Sequence, residues 1–151
     1  MDNLTTDVRL DAWRMFITLQ AKMIELIDAD LQAAGGLPLQ QYDVLIELFE
    51  AAGKRLRMYE LAQRVVLSRS SITRLVDQLA EQGLLARQTD PADRRGSFAL
   101  LTEAGEAALR QSWPLYRAAI LGHFGTFMTE AEAQTIVQVF GRIQAAVSQT
   151  R

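Results

Sequence analysis

The chain contains no cysteine and a single histidine, His123. The first absence excludes disulfides, thiolate metal sites and a cysteine redox switch, and the second leaves no multi-histidine metal site. Long apolar runs are missing as well. Nothing approaches the ~18 residues of a membrane span, and the opening MDNLTTDVRLDAW is acidic and polar where a signal peptide is basic and then apolar. A cytoplasmic protein with no membrane partner is therefore expected. No phosphate-cradling glycine loop is present, no carboxylate pair stands out, and one histidine without cysteine offers no set of nucleophile, base and orienting group. An enzyme is the least favoured class, and no cofactor is implied. Repeats and low-complexity linkers are also lacking, so the 151 residues read as one domain, 1–151.

The net charge of −2 argues by itself against a nucleic-acid binder, but the charge is unevenly distributed. Residues 54–95 hold nine Lys and Arg against five acids, a local net of +4, whereas the remainder holds seven against thirteen, a net of −6. A basic island in an acidic chain is an asymmetry that orients a protein on phosphates.

Apolar spacing predicts a helix over 8–31, with Trp13, Phe16, Ile17, Met23, Ile24, Ile27 and Leu31 on its stripe, closed by Gly35, Gly36 and Pro38. A second helix, 40–51, carries Tyr42, Leu45, Ile46 and Phe49 on one face and stops at Gly53. Arg55–Arg57 reads as extended, and 58–66 as a third helix with Met58, Leu61, Ala62 and Val65 inward. Ser68 stands where a cap belongs, before a helix over 69–82 whose Ile72, Leu75, Val76 and Leu79 recur at i, i+3, i+4 and i+7. Gly83 ends it. Residues 84–88 and 97–101 alternate as two strands around the turn-forming TDPADRRG. Thr102 caps a fifth helix with the stripe Leu109, Trp113, Tyr116, Ile120, Phe124 and Phe127, which Pro114 should kink or divide. Thr129 and Glu132 form a capping box for a last helix bearing Ile136, Phe140, Ile143 and Val147.

Two short helices, a tight turn and a hairpin with a basic tip are the order of a winged helix-turn-helix. The fold class expected is thus mainly α with a small β-hairpin wing: a DNA-binding lobe over 38–102, and dimerisation helices over 7–34 and 103–148. Terminal helices with more apolar surface than one small domain can cover point to a homodimer. Two recognition helices could then meet half-sites roughly 34 to 36 Å apart.

The segments LSRSSITRLVDQLAEQGLLAR at 67–87 and DPADRRGSFALLTEAG at 90–105 resemble the MarR-type (multiple antibiotic resistance regulator) transcription factors. The second contains that family's Asp-x-Arg wing as Asp93-Arg94-Arg95. The resemblance implies a homodimer on a pseudo-palindromic double-stranded operator, with recognition helices in adjacent major grooves and wings at the minor groove. It also implies repression released by a small aromatic or phenolic ligand. Cysteine-based oxidant sensing, used by some members, is closed to this chain.

Arg69 and Arg74 lie outward near the start of the recognition helix, within reach of guanine edges or phosphate, and Ser70, Ser71 and Thr73 stand beside them. Ser68 serves either as a cap or as a phosphate donor. Arg94 and Arg95 on a tight loop suit a narrow, electronegative minor groove. Asp93, which phosphate would repel, is assigned to orienting an arginine, Arg74 or Arg95. Lys54, Arg55 and Arg57 read either as phosphate contacts or as a solvated charge run. For the ligand, the family's pocket position points to Trp13, Phe16, Tyr42, Asp43, Met58, Trp113, Tyr116 and His123, each with core or interface packing as its competing role. Trp13 with Asp43 also resembles a purine-responsive branch in which a tryptophan, an aspartate and arginines surround urate. Two other readings stay open: a DNA-binding regulator without an effector, and a helical interaction protein whose winged module no longer binds DNA.

Overall fold

A computed structural model of the chain describes residues 7–65, 69–93 and 96–149, with the side chain at 69 outside that set. In chain order the elements are α1 (Val8–Ala33), α2 (Leu39–Glu50), β1 (Arg55–Arg57), α3 (Met58–Arg64), α4 (Arg69–Glu81), β2 (Leu85–Thr89), β3 (Ser97–Leu101), α5 (Glu103–His123) and α6 (Glu130–Ser148). The chain divides into two compact units, one spanning Ile27–Tyr116 and the other made of the terminal segments up to Leu26 and from Arg117.

The central unit is organised around leucines and valines that the helical and strand periods deliver to one interior. Val44, Leu45 and Leu48 of α2, Leu61 of α3, Ile72, Val76 and Leu79 of α4, Leu85 of β2 and Ala99 of β3 are buried together. Each fully buried leucine side chain contributes about 2 kcal/mol of apolar burial. The three-residue Arg55–Arg57 segment, expected only to be extended, is a third strand. The antiparallel sheet runs β1-β3-β2, with Leu56 opposite Ala99 and Leu85 opposite Leu101. Pairing on both sides of β3 turns what would be a marginal hairpin into a sheet with one buried face.

Two local devices set the wing against the helices. At the end of α4, Gly83 takes φ +73°, which lets its own N–H reach Ala80 O at 3.0 Å and the Leu84 N–H reach Leu79 O at 2.9 Å, a Schellman closure. Thr102 then joins that turn to α5: its hydroxyl donates to Gly83 O at 2.7 Å and accepts from the Gly105 N–H at 3.0 Å. Gly105 passes so close to Leu84 O that no side chain fits there.

The unit is wider than the 38–102 lobe expected from the sequence. Leu31 at the end of α1 is fully buried, Asp28 Oδ1 accepts the Leu39 N–H at 2.7 Å, and the buried Ser112 hydroxyl accepts the Leu37 N–H at 3.0 Å. These bonds satisfy amides around the start of α2, which Pro38 cannot cap with a side chain.

In the terminal unit, α6 opens with the capping box read from the sequence: Thr129 Oγ1 accepts from the Glu132 N–H, and Glu132 Oε2 accepts from the Thr129 N–H at 2.8 Å. No residue of α6 is buried. Along α5, Pro114 does not divide the helix, which runs unbroken to His123. The missing amide forfeits one intrahelical bond, and the exposed position leaves the ring room. The stripe expected to run to Phe127 ends earlier: Phe124 lies past the last helical residue, and Phe127 closes a separate 3₁₀ turn at 81% exposure. Among the described residues, no helix is long and apolar enough to cross a membrane.

Candidate nucleic-acid interface

Helix α4 buries Ile72, Leu75, Val76 and Leu79, which sends Ser70, Ser71, Thr73, Arg74, Gln78 and Glu81 outward. Ser70, Thr73, Arg74, Asp77, Gln78 and Glu81 line one shallow strip along that face. Hydroxyls and a cation occupy its N-terminal half, whereas acids sit toward the C-terminal half. Asp77 is itself answered by Arg87, whose Nη1 lies 2.9 Å from Asp77 Oδ1. That pair is exposed and adds at most about 1 kcal/mol to stability, so its main effect is on the local potential. The end of α4 that can approach phosphate is therefore the one carrying Ser70, Thr73 and Arg74.

The hairpin loop is built on a residue that sequence reasoning passed over. Asp90 is buried at 4% exposure, accepts the Ala92 N–H on Oδ1 at 2.9 Å, and places Oδ2 2.6 Å from Arg57 Nη2. Its backbone N–H reaches Gly96 O at 3.0 Å, and Asp93 O accepts the Gly96 N–H at 2.8 Å. The guanidinium groups of Arg55 and Arg57 each stand 5.1 Å from the centre of the Phe98 ring, so an aromatic residue and a half-buried ion pair hold the base of the wing. The Asp90-Pro91 pair is a turn signal, but only the β1–β3 pairing brings Arg57 to it.

The structure thus changes the role of several cations in the basic island. Lys54 pairs with Glu106, Arg57 with Asp90, Arg64 with Glu47 and Arg87 with Asp77. Lys54 and Arg57, expected as phosphate contacts or a solvated run, each pair with an acid of this chain and remain partly exposed. Asp93 lines a hollow of about 370 Å³ with Arg57, Met58 and Thr73, between the wing base and α4. Arg94, Arg95, Ser68 and the side chain of Arg69 lie outside the described residues.

The residues named for a ligand separate into three places. Trp13 and Phe16 belong to the terminal unit, where their rings lie 6.0 Å apart and Phe16 meets Phe140 edge-on at 5.4 Å. His123, the last residue of α5, is in that unit too. Met58 lines the hollow beside the wing. Asp43 and Trp113 come together, with Tyr42 and Tyr116, around a hollow of about 630 Å³ between α2 and α5 inside the central unit. Burial, followed by the nearby charges of Glu47 and Asp28, pushes the Asp43 carboxyl up to about 6. Burial also raises Tyr42 and Tyr116, and the Asp43 charge adds to both.

Comparisons with known proteins agree with this geometry. A family model described as the MarR family matches residues 35–96, covering the end of the α1–α2 turn through the wing loop. The HTH-type transcriptional repressor MdtR of Bacillus subtilis is 27% identical over 96% of this chain and 88% of its own length. The transcriptional regulator MhqR of the same organism is 30% identical over 72% of each chain. Among solved structures, Sco3205 of Streptomyces coelicolor, a MarR family transcriptional regulator in complex with DNA, is 31% identical. It aligns with a TM-score of 0.81 over 96% of this chain and 90% of that one. Fold, sheet order and sequence likeness converge, and the chain belongs to the MarR family of winged helix-turn-helix transcriptional regulators.

Proposed function

We propose that the protein is a homodimeric repressor that reads a pseudo-palindromic double-stranded operator through α4 and the wing, and releases it when a small aromatic ligand binds. The observation that carries the DNA reading is the outward face of α4, with Ser70, Thr73 and Arg74 at its N-terminal half and an apolar face anchoring it to the core. In this reading Arg74 and Arg69 contact guanine edges or phosphate, and Ser70, Ser71 and Thr73 donate to phosphates or contact bases. Arg94 and Arg95 enter the minor groove, with Asp93 orienting Arg74 or Arg95. Similarity to the repressor MdtR and to Sco3205, solved in complex with DNA, supports the DNA-binding and repressor parts of this reading.

Dimerisation is supported by the terminal unit, whose α1 and α6 segments leave Trp13, Ile17, Val137, Phe140 and Ile143 exposed. A two-fold copy would cover this surface and set two α4 helices on one operator. The aromatic hollow between α2 and α5 supports a ligand.

Fluorescence anisotropy with DNA from upstream of the protein's own gene tests the reading. Arg74→Ala should weaken binding about 10- to 100-fold and relax sequence preference, given roughly 1 to 3 kcal/mol for a good base contact. Replacing Arg94 and Arg95 by alanine should weaken binding while the dimer stays folded. No binding by the wild-type chain at micromolar concentration and low salt would refute it.

A further inference from the structure

The walls of the α2–α5 hollow are more specific than an apolar cleft. Tyr42 and Tyr116 approach to 4.7 Å between ring centres at 58°, and Trp113 meets Tyr116 at 6.4 Å and 75°. Tyr42 is almost fully buried and backs Tyr116, so Tyr116 and the exposed Trp113, steeply inclined to each other, supply the electron-rich faces that can attract a cation. Asp43 lies close enough to shift both tyrosines, yet no hydrogen bond or ion pair engages its carboxylate among the described residues. Glu50 lines the same hollow. Arg110 is the cation among the lining residues, and it is already engaged: its Nη2 and Nε donate to Glu106 Oε1 at 2.7 and 3.2 Å, and its guanidinium lies 5.5 Å from the Phe49 ring.

From this geometry we infer that the α2–α5 hollow receives an organic cation: an aromatic or apolar body bearing a protonated amine, quaternary ammonium or phosphonium centre. The body replaces water against Ile46, Leu109 and Trp113, and the charge sits between the Tyr116 ring and Asp43. A phenolate or benzoate of similar shape would face the two carboxylates Asp43 and Glu50, against Arg110, the single cation among the described lining residues, which is shared with Glu106 one turn away. The inference rests on the ligand-responsive reading above and narrows it to one charge class.

A matched pair of probes isolates that class. Tetraphenylphosphonium and tetraphenylborate have nearly the same shape and opposite charge, and salicylate supplies a smaller anion. Each is titrated calorimetrically at pH 7.5 into the full-length protein and its Asp43→Asn and Trp113→Ala variants, with operator anisotropy measured in parallel. Tetraphenylphosphonium should bind at least 10-fold more tightly than tetraphenylborate. Asp43→Asn, which keeps the side-chain shape, should remove most of that preference, and Trp113→Ala should weaken the cation at least 10-fold. Anions binding as tightly as the cation, no binding by any probe, or a cation affinity unchanged in Asp43→Asn would each overturn the inference. If salicylate binds and releases operator while the cation does not, only the charge class falls. If the cation binds as described but operator affinity does not change, the site stands and the effector role falls.

Discussion

The two units of this chain use the same apolar residue types to opposite ends. Between Ile27 and Tyr116, helices and strands bury Leu31, Leu45, Leu48, Leu61, Val76 and Leu79 almost completely, and among the large apolar side chains described there only Tyr59 and Trp113 are exposed. In the terminal unit the proportions reverse: Ala119 is the buried apolar residue among those described, while α1 and α6 present Met15, Ile17, Val137, Ile143 and Val147 to solvent. A region that closes its own core can position a reading helix with precision. A region that leaves its stripes uncovered has its stabilisation still to gain, and a second copy supplies it in the proposed dimer.

The sharpest way to break this comparison is Ile143→Asp. At 54% exposure in a lone chain, the change should alter stability by no more than about 0.5 kcal/mol. In the proposed dimer it places a charge in the interface. Sedimentation should then show dissociation, with operator affinity falling about 100-fold or more. An unchanged dimer would remove this face from the interface. Leu45→Ala, in the closed core, should cost about 3 kcal/mol in denaturant unfolding without altering subunit association at native conditions.

Smaller effects probe the links between core and site. Arg57→Ala leaves the buried Asp90 carboxylate without its cation and should cost about 2 kcal/mol, with a loss of operator affinity as the wing base loosens. Equal affinity in that variant would show that the wing does not depend on this pair. Asp43→Asn should give the smallest change, and one that depends on pH. Because the folded-state value stands at about 6 against an ordinary 3.8, the folded chain holds this proton more tightly than the unfolded one. The group's contribution to stability therefore falls as pH rises between those values, and the full cost is present above them. After allowance for partial solvent screening, asparagine should stabilise by about 1 kcal/mol at pH 8 and leave stability at pH 4 unchanged, as thermal melts at the two pH values would record.

What the sequence made legible was local. The i, i+3, i+4, i+7 stripe of α4, the turn at Gly83, the Thr102 cap and the Thr129–Glu132 box are each encoded within about a dozen residues, and each stands in the structure as read. What escaped was set by pairing across distance. Three residues at Arg55–Arg57 carry too weak a period to announce a strand, and their partner in β3 lies some forty positions on. With that pairing unseen, Arg57 looked like a free surface cation and Asp90 like an ordinary turn acid, although together they anchor the wing. Asp43 was named for the family's pocket position and for its likeness to a purine-binding residue, but its raised carboxyl arises from burial and from Glu47 and Asp28, a combination the linear sequence does not display. Of the two outcomes expected at Pro114, a kink or a break, the break does not occur, because the cost of one lost amide does not end a 21-residue helix.

Footprinting on the DNA upstream of the protein's own gene tests the central claim most directly. Two protected half-sites related by a dyad are expected, with centres roughly 10 base pairs apart, both lost together in Arg74→Ala and in Ile143→Asp. A single protected half-site, or full two-site protection by the Arg74→Ala protein, would contradict it.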